Sequence, residues 1–268
     1  MSDSRQHSVA VQDAELRVLD DGAAGAPCVL LAHSIMTSAS MWAPQAEFLA
    51  GRGWRVLRPE SRGHGGSTLG SEALSIDRLA ADIVAIVDQL RLEQVHFVGL
   101  SLGGMVGFSL AQHYPHRLHS VAICDARADS PPAFAQPWDA RIAQALQDGV
   151  ASLVAPTLER WFGDRMQSLD KVSLAALRES MAQTSVSGFV ATARALQAFD
   201  YTGALPSVRL PTTLVVGEHD GVLPGAMAEL ASRIPNARLE LIPAAGHLPN
   251  LEQPQRFNDA LARHLDRA

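Results

Sequence analysis

Short, unbroken apolar runs alternate along this chain with longer stretches in which apolar residues recur every three or four positions, and that alternation limits the folds open to it. Cys28-Val29-Leu30-Leu31-Ala32, Arg55-Val56-Leu57-Arg58, Val95-His96-Phe97-Val98 and Ser120-Val121-Ala122-Ile123-Cys124 are too short for helices and read as buried strands. Between them, 45–49 carries a helical pattern, and Leu79, Ile83, Val84, Ile86, Val87 and Leu90 fall at helical spacing within 76–90. Strand, helix, strand and helix in this order predict an α/β fold, a mostly parallel sheet covered by helices on both faces. Ahead of it, Val9 to Val11 and Leu16 to Leu19 flank Gln12-Asp13-Ala14-Glu15 as an opening hairpin.

The pattern breaks after residue 127. Pro131-Pro132 and Pro137 mark a linker, strand signals stop, and helical periods appear at 141–146, 174–181 and 189–196. Strands resume at 214–217 and 239–242, and a last helix covers 255–265. We therefore expect a core made of residues 1–127 and 201–268, with residues 128–200 inserted as a helical cap. No internal repeat or low-complexity tract is visible.

A length of 268 residues suits one domain with an insertion, and the net charge of -6 gives no basic surface for nucleic acid or an anionic membrane. A small molecule is the expected partner; the oligomeric state is left open. The polar stretch from Met1 to Val11 lacks the apolar centre of a signal peptide, and no run reaches membrane-spanning length, so a cytoplasmic protein is expected. Cys28 and Cys124 sit in apolar strands and read as buried free thiols. His113, His116 and His119 surround Pro115 without a carboxylate partner, which reads as a polar helix exit rather than a metal site.

Gly99-x-Ser101-x-Gly103 lies where the third parallel strand meets its helix. Glycines on both sides let the backbone turn sharply and lift the serine hydroxyl off the strand end. The pentapeptide is a weak signal alone and gains weight only if a base and an acid occupy suitable loops downstream. A serine hydroxyl needs a base to take its proton, and the base needs a carboxylate to fix its tautomer. Asp220, in Gly217-Glu218-His219-Asp220-Gly221, and His247, in Pro243-Ala244-Ala245-Gly246-His247, each occupy a loop after a predicted strand. Parallel strands bring such loops to one sheet edge, so Ser101, Asp220 and His247 are the expected catalytic residues.

Nucleophile, acid and histidine in that chain order resemble the α/β-hydrolase superfamily. The loop Arg62-Gly63-His64-Gly65-x-Ser67 and the segment Gly246-His247-x-x-Asn250-x-Glu252-x-Pro254 extend the match, which covers about Cys28 to Leu265. Within the superfamily the chain is similar to 3-oxoadipate enol-lactonases of aromatic catabolism, through Ser34-Ile35, Met41-Trp42-x-x-Gln45, Trp138-x-x-Arg141, Arg160-Trp161-Phe162 and Ser187-Gly188-Phe189. It departs from them at His33, Glu60, Asp125 and Phe189, where Asn, Asp, Asn and Tyr are usual.

The resemblance implies an α/β-hydrolase fold and a serine hydrolase acting on a carboxylic ester or lactone with no cofactor and no metal. It implies an oxyanion hole from the amides of Ile35 and Leu102. His64, in a loop too rich in glycine for regular structure, reads as a residue that orders that loop through hydrogen bonds. Ser34 stands where a glycine is usual and brings a hydroxyl towards the site. Arg141 either pairs with a substrate carboxylate or is a solvated cap residue, and Trp138 and Trp161 pack the cap or line an apolar pocket. Asp125 also follows a strand, and Asp220 is preferred as the acid because its loop fits the family better. A carboxylesterase, a carbon-carbon bond hydrolase, a perhydrolase and a ligand-binding receptor on this fold all remain open.

Overall fold

A computed structural model describes residues 4–268; Met1, Ser2 and Asp3, where the polar N-terminal stretch begins, lie outside the described residues. The strands are β1 (Arg5–Val11), β2 (Ala14–Asp21), β3 (Cys28–Ala32), β4 (Arg55–Pro59), β5 (Val95–Leu100), β6 (Leu118–Cys124), β7 (Thr212–Gly217) and β8 (Arg238–Ile242). They form one sheet in the order β1-β2-β4-β3-β5-β6-β7-β8. β1 and β2 pair antiparallel, β2 runs antiparallel to β4, and the remaining pairs are parallel. The predicted mostly parallel α/β sheet is present.

Inner strands β3, β4, β5 and β7 are buried at every position, whereas β2 and β8 expose alternate or most residues. Strands covered on both faces need apolar side chains throughout, which is why they read as continuous runs. The hairpin turn is tighter than predicted. Ala14 already pairs with Val11, leaving Gln12-Asp13 as the loop, and the Asp13 carboxylate is satisfied by the amides of Ser71 and Glu72.

The covering helices are α1 (Ala43–Gly51), α2 (Ile76–Gln89) and α3 (Leu102–His113). Ser75 caps α2 by accepting from the Arg78 amide, and Leu79, Ile83, Ile86 and Val87 form its buried face. Between β6 and β7 come α4 (Pro132–Ala135), α5 (Pro137–Asp148), α6 (Val154–Phe162), α7 (Lys171–Ala182) and α8 (Val186–Leu196). Periodicity does not predict α6, since it contains Pro156; the proline falls in the first turn, where no intrahelical N–H is needed. The chain closes with α9 (Leu223–Arg233), α10 (Pro249–Glu252) and α11 (Pro254–Leu265). No helix among the described residues is long and apolar enough to cross a membrane.

A buried polar chain ties α11 to the sheet. His96 Nδ1 meets Ser120 Oγ at 2.9 Å, Ser120 Oγ meets His264 Nε2 at 2.8 Å, and His264 Nδ1 meets Thr213 Oγ1 at 2.9 Å. One consistent assignment has His96 donating to Ser120, Ser120 to His264, and His264 to Thr213. Burial drives the His264 pKa down to about 3 and the His96 pKa down to about 4.

Both histidines stay neutral in the folded chain, while the unfolded chain takes up protons below about pH 6.5. Their stability contribution is therefore complete above that pH and is lost on acidification, by about 2 kcal/mol for each histidine between about pH 6.5 and pH 5. Urea midpoints compared at about pH 7.5 and about pH 5 should show this fall. His264→Phe should be less stable at the higher pH yet lose less on acidification; an unchanged loss would place the proton uptake elsewhere.

Candidate active site

The turn at Ser101 is set by sterics. Ser101 has φ 55° and ψ −110°, a strained combination for a residue with a side chain. Its amide donates to Cys124 O at 2.8 Å, fixing the turn to the end of β6. A Cβ on Gly99 would lie 2.1 Å from Gly103 O, and one on Gly103 would lie 2.2 Å from Ala32 O. Both glycines are therefore needed for the strand, the helix start and the end of β3 to approach this closely. Ser101 itself is 7% exposed.

The loops after β7 and β8 interlock beside it. His219 N donates to Ala245 O at 2.7 Å, and a Cβ on Gly217 would lie 2.0 Å from Gly246 O. Gly221 takes φ +55°, which closes the turn behind Asp220. Glu252 Oε1 accepts from the amides of Gly246 at 2.9 Å and Leu248 at 3.4 Å, so both neighbours of His247 are held by one carboxylate.

The three expected residues meet in line. His247 Nδ1 lies 2.7 Å from Asp220 Oδ2, and His247 Nε2 lies 3.1 Å from Ser101 Oγ. The carboxylate can only accept, so Nδ1 carries the ring proton and Nε2 accepts from the serine hydroxyl. This is the arrangement that lets an imidazole take a proton from a serine. A second serine–histidine contact, Ser120 with His264, differs in both respects that matter. Its serine is fully buried, and the far ring nitrogen meets Thr213 rather than a carboxylate.

Among the described residues, neither the Ile35 nor the Leu102 amide has a hydrogen-bond acceptor. Their segments are joined by Gly103 N donating to His33 O at 3.2 Å. Two buried histidines brace the loop that carries Ile35. The Ser61 amide donates to His33 Nε2 at 2.9 Å and His33 Nδ1 donates to Ser34 O at 2.7 Å; the Met36 amide donates to His64 Nε2 at 3.1 Å and His64 Nδ1 donates to Arg62 O at 3.0 Å. Burial lowers both pKa values, that of His64 to about 3, which keeps the accepting nitrogens unprotonated. His64 orders its loop as expected. Ser34 Oγ is buried with no hydrogen-bond partner among the described residues.

The helices between β6 and β7 reach these loops. Trp161 is buried with its ring 5.3 Å from that of His247, and its carbonyl accepts from the His247 amide at 3.4 Å. Arg165 Nε donates to Glu252 Oε2 at 2.8 Å. Thr184 Oγ1 donates to Met36 O at 3.1 Å, where Met36 holds φ +63°. Sequence reasoning assigned no role to Arg165, Thr184 or Met36. Glu252 stood in a matched motif, and that was the one signal for it.

Trp138 and Arg141 pair with each other, the guanidinium carbon lying 4.6 Å from the ring centroid. Arg141 is half-buried, burial lowers its pKa, and it has no carboxylate partner among the described residues. No hydrogen bond or ring contact joins this pair to Ser101, Asp220 or His247. No group of three or more metal-ligating side chains occurs among the described residues.

Comparison with known proteins places the chain in a family. The family model described as alpha/beta hydrolase fold matches residues 27–254. Two curated relatives from Acinetobacter baylyi are 3-oxoadipate enol-lactonase 2, 30% identical with 97% of this chain and 96% of the relative covered, and 3-oxoadipate enol-lactonase 1, 31% identical with 95% of each covered. The crystal structure of the enol-lactonase from Burkholderia xenovorans superposes with a TM-score of 0.90 at 31% identity, covering 98% of this chain and 100% of that one. On its sheet, its strand-to-helix turn at Ser101 and these matches over nearly its whole length, the chain belongs to the α/β-hydrolase fold family and resembles its enol-lactonases.

Proposed function

We propose that this chain is a serine hydrolase that opens a small lactone or cleaves a carboxylic ester through an acyl-enzyme, with an acidic enol-lactone such as that of 3-oxoadipate as its substrate. The observation that carries the reading is the hydrogen-bonded series Asp220, His247, Ser101. Ser101 Oγ bonds to the carbonyl carbon as its proton passes to His247 Nε2, and Asp220 balances the imidazolium charge. The free amides of Ile35 and Leu102 receive the oxyanion. Collapse breaks the ring or ester C–O bond, and His247 returns its proton to the leaving oxygen. Water, deprotonated by His247, then attacks the acyl carbon; the carboxylic acid leaves and Ser101 recovers its proton.

In this reading residues 128–200 form the cap over a core of 1–127 and 201–268, and the contacts of Trp161, Arg165 and Thr184 with the core loops support it. Ser34, whose hydroxyl has no partner among the described residues, and Trp161, whose ring lies 5.3 Å from that of His247, face the reacting group. Arg141 takes the substrate carboxylate. A half-buried guanidinium with no carboxylate partner among the described residues, its carbon 4.6 Å from the Trp138 ring centroid, supports that role.

The test is loss of enol-lactone absorbance with purified protein, run beside hydrolysis of a neutral aryl ester. Rapid lactone loss supports the substrate, and none above buffer rejects it. Arg141→Ala should raise KM for the acidic lactone about tenfold or more and leave the neutral ester unaffected. Equal effects on both would remove Arg141 from carboxylate recognition.

A further inference from the structure

Asp125, just beyond the end of β6, has φ +44° and is 1% exposed. Its amide donates to Val215 O at 2.9 Å, and its Oδ1 accepts from the Gly217 amide at 2.8 Å. Its Oδ2 is buried with no donor among the described residues. Gly217, whose amide binds Oδ1, also accepts from the Asp220 amide at 3.1 Å, so the turn brings Asp220 next to Asp125. Asp220 spends its own Oδ2 on His247. A buried carboxyl and a partly exposed one thus come from the ends of neighbouring strands, and two neighbouring carboxylates of which one is buried do not both ionise readily.

The surroundings decide which one keeps the charge. Asp220 has the imidazole N–H as a donor and is partly open to solvent. Asp125 has one backbone amide. The charged groups facing Asp125 are Asp220 from the loop after β7 and Glu252 from α10; Arg165 is bound to Glu252, and Cys124 on β6 is a buried thiol whose pKa burial pushes up. Burial first, and then the Asp220 charge, push the Asp125 pKa well above the ordinary carboxylate range.

We propose that Asp125 carries a proton and donates it as a hydrogen bond to the Asp220 carboxylate, making Asp125 a positioning residue for the Asp220–His247–Ser101 series. The proposal rests on the reading of that series as catalytic. The hydrogen bond would hold the Asp220 carboxylate in place while its Oδ2 accepts from His247 Nδ1.

The infrared difference spectrum between the wild type and Asp125→Asn at neutral pH tests the proton. A protonated carboxyl C=O stretch present in the wild type and missing from the variant is expected; its absence from the wild type overturns the proposal. Kinetics on p-nitrophenyl acetate test the positioning. Asp125→Ala should lower kcat about tenfold to a hundredfold with KM little changed. Asp125→Asn, isosteric and able to donate from Nδ2, should recover most of that loss, and an Asn variant as slow as the Ala variant overturns the role. The spectrum needs no turnover, so a wild type that cleaves no ester would reject the hydrolase reading while the carboxyl band still decides the protonation of Asp125.

Discussion

Ser101→Ala is expected to lower kcat on any ester or lactone the wild type turns over by about a million-fold, and to abolish covalent labelling by a fluorophosphonate. The fold should survive, because nothing that builds the turn uses the hydroxyl. The Ser101 amide on Cys124 O and the Met105 amide on Ser101 O are backbone bonds, and the glycines that set the turn lie at 99 and 103. Alanine keeps the strained φ of 55°, so its melting temperature should match the wild type. Ser101→Gly removes the Cβ that makes this conformation costly and should melt higher while remaining inactive. Turnover that survives in both variants would move the nucleophile away from Ser101, and with it the reading of the site.

The parallel core and the loops that meet at its edge were legible because two simple physical constraints write them into the chain. Burial on both faces turns β3, β5 and β7 into continuous apolar runs. Parallel order then sends the loop after each strand to the same edge, which is how residues 101, 220 and 247 could be grouped from the chain alone. What periodicity does not encode is the face a helix turns towards its neighbours. Trp161 packs its ring against that of His247 from 86 positions upstream, and Thr184 reaches Met36 across 148. Both lie between the stretches of 128–200 whose helical spacing was visible, and no partner was specified for either. The buried chain from His96 to His264 was hidden for the same reason: its members come from three strands and the last helix.

Asp220→Asn is expected to lower kcat about ten-thousand-fold with little change in KM. The cause is the ring tautomer rather than lost charge alone. Asp220 Oδ2 accepts the His247 Nδ1 proton at 2.7 Å, which leaves Nε2 unprotonated for the Ser101 hydroxyl at 3.1 Å. An asparagine amide turned towards Nδ1 donates instead, the ring proton moves to Nε2, and the serine faces a donor where it needs an acceptor. Asp125 does not take over: its Oδ1 is committed to the Gly217 amide, and among the described residues neither of its oxygens meets the His247 ring, whose Nδ1 bonds to Asp220. Asp125→Asn should therefore cost far less than Asp220→Asn when kcat is measured for both on the same ester. The reverse ranking would make Asp125 the acid, because only the carboxylate that fixes the histidine tautomer produces a loss of that size when an isosteric amide replaces it.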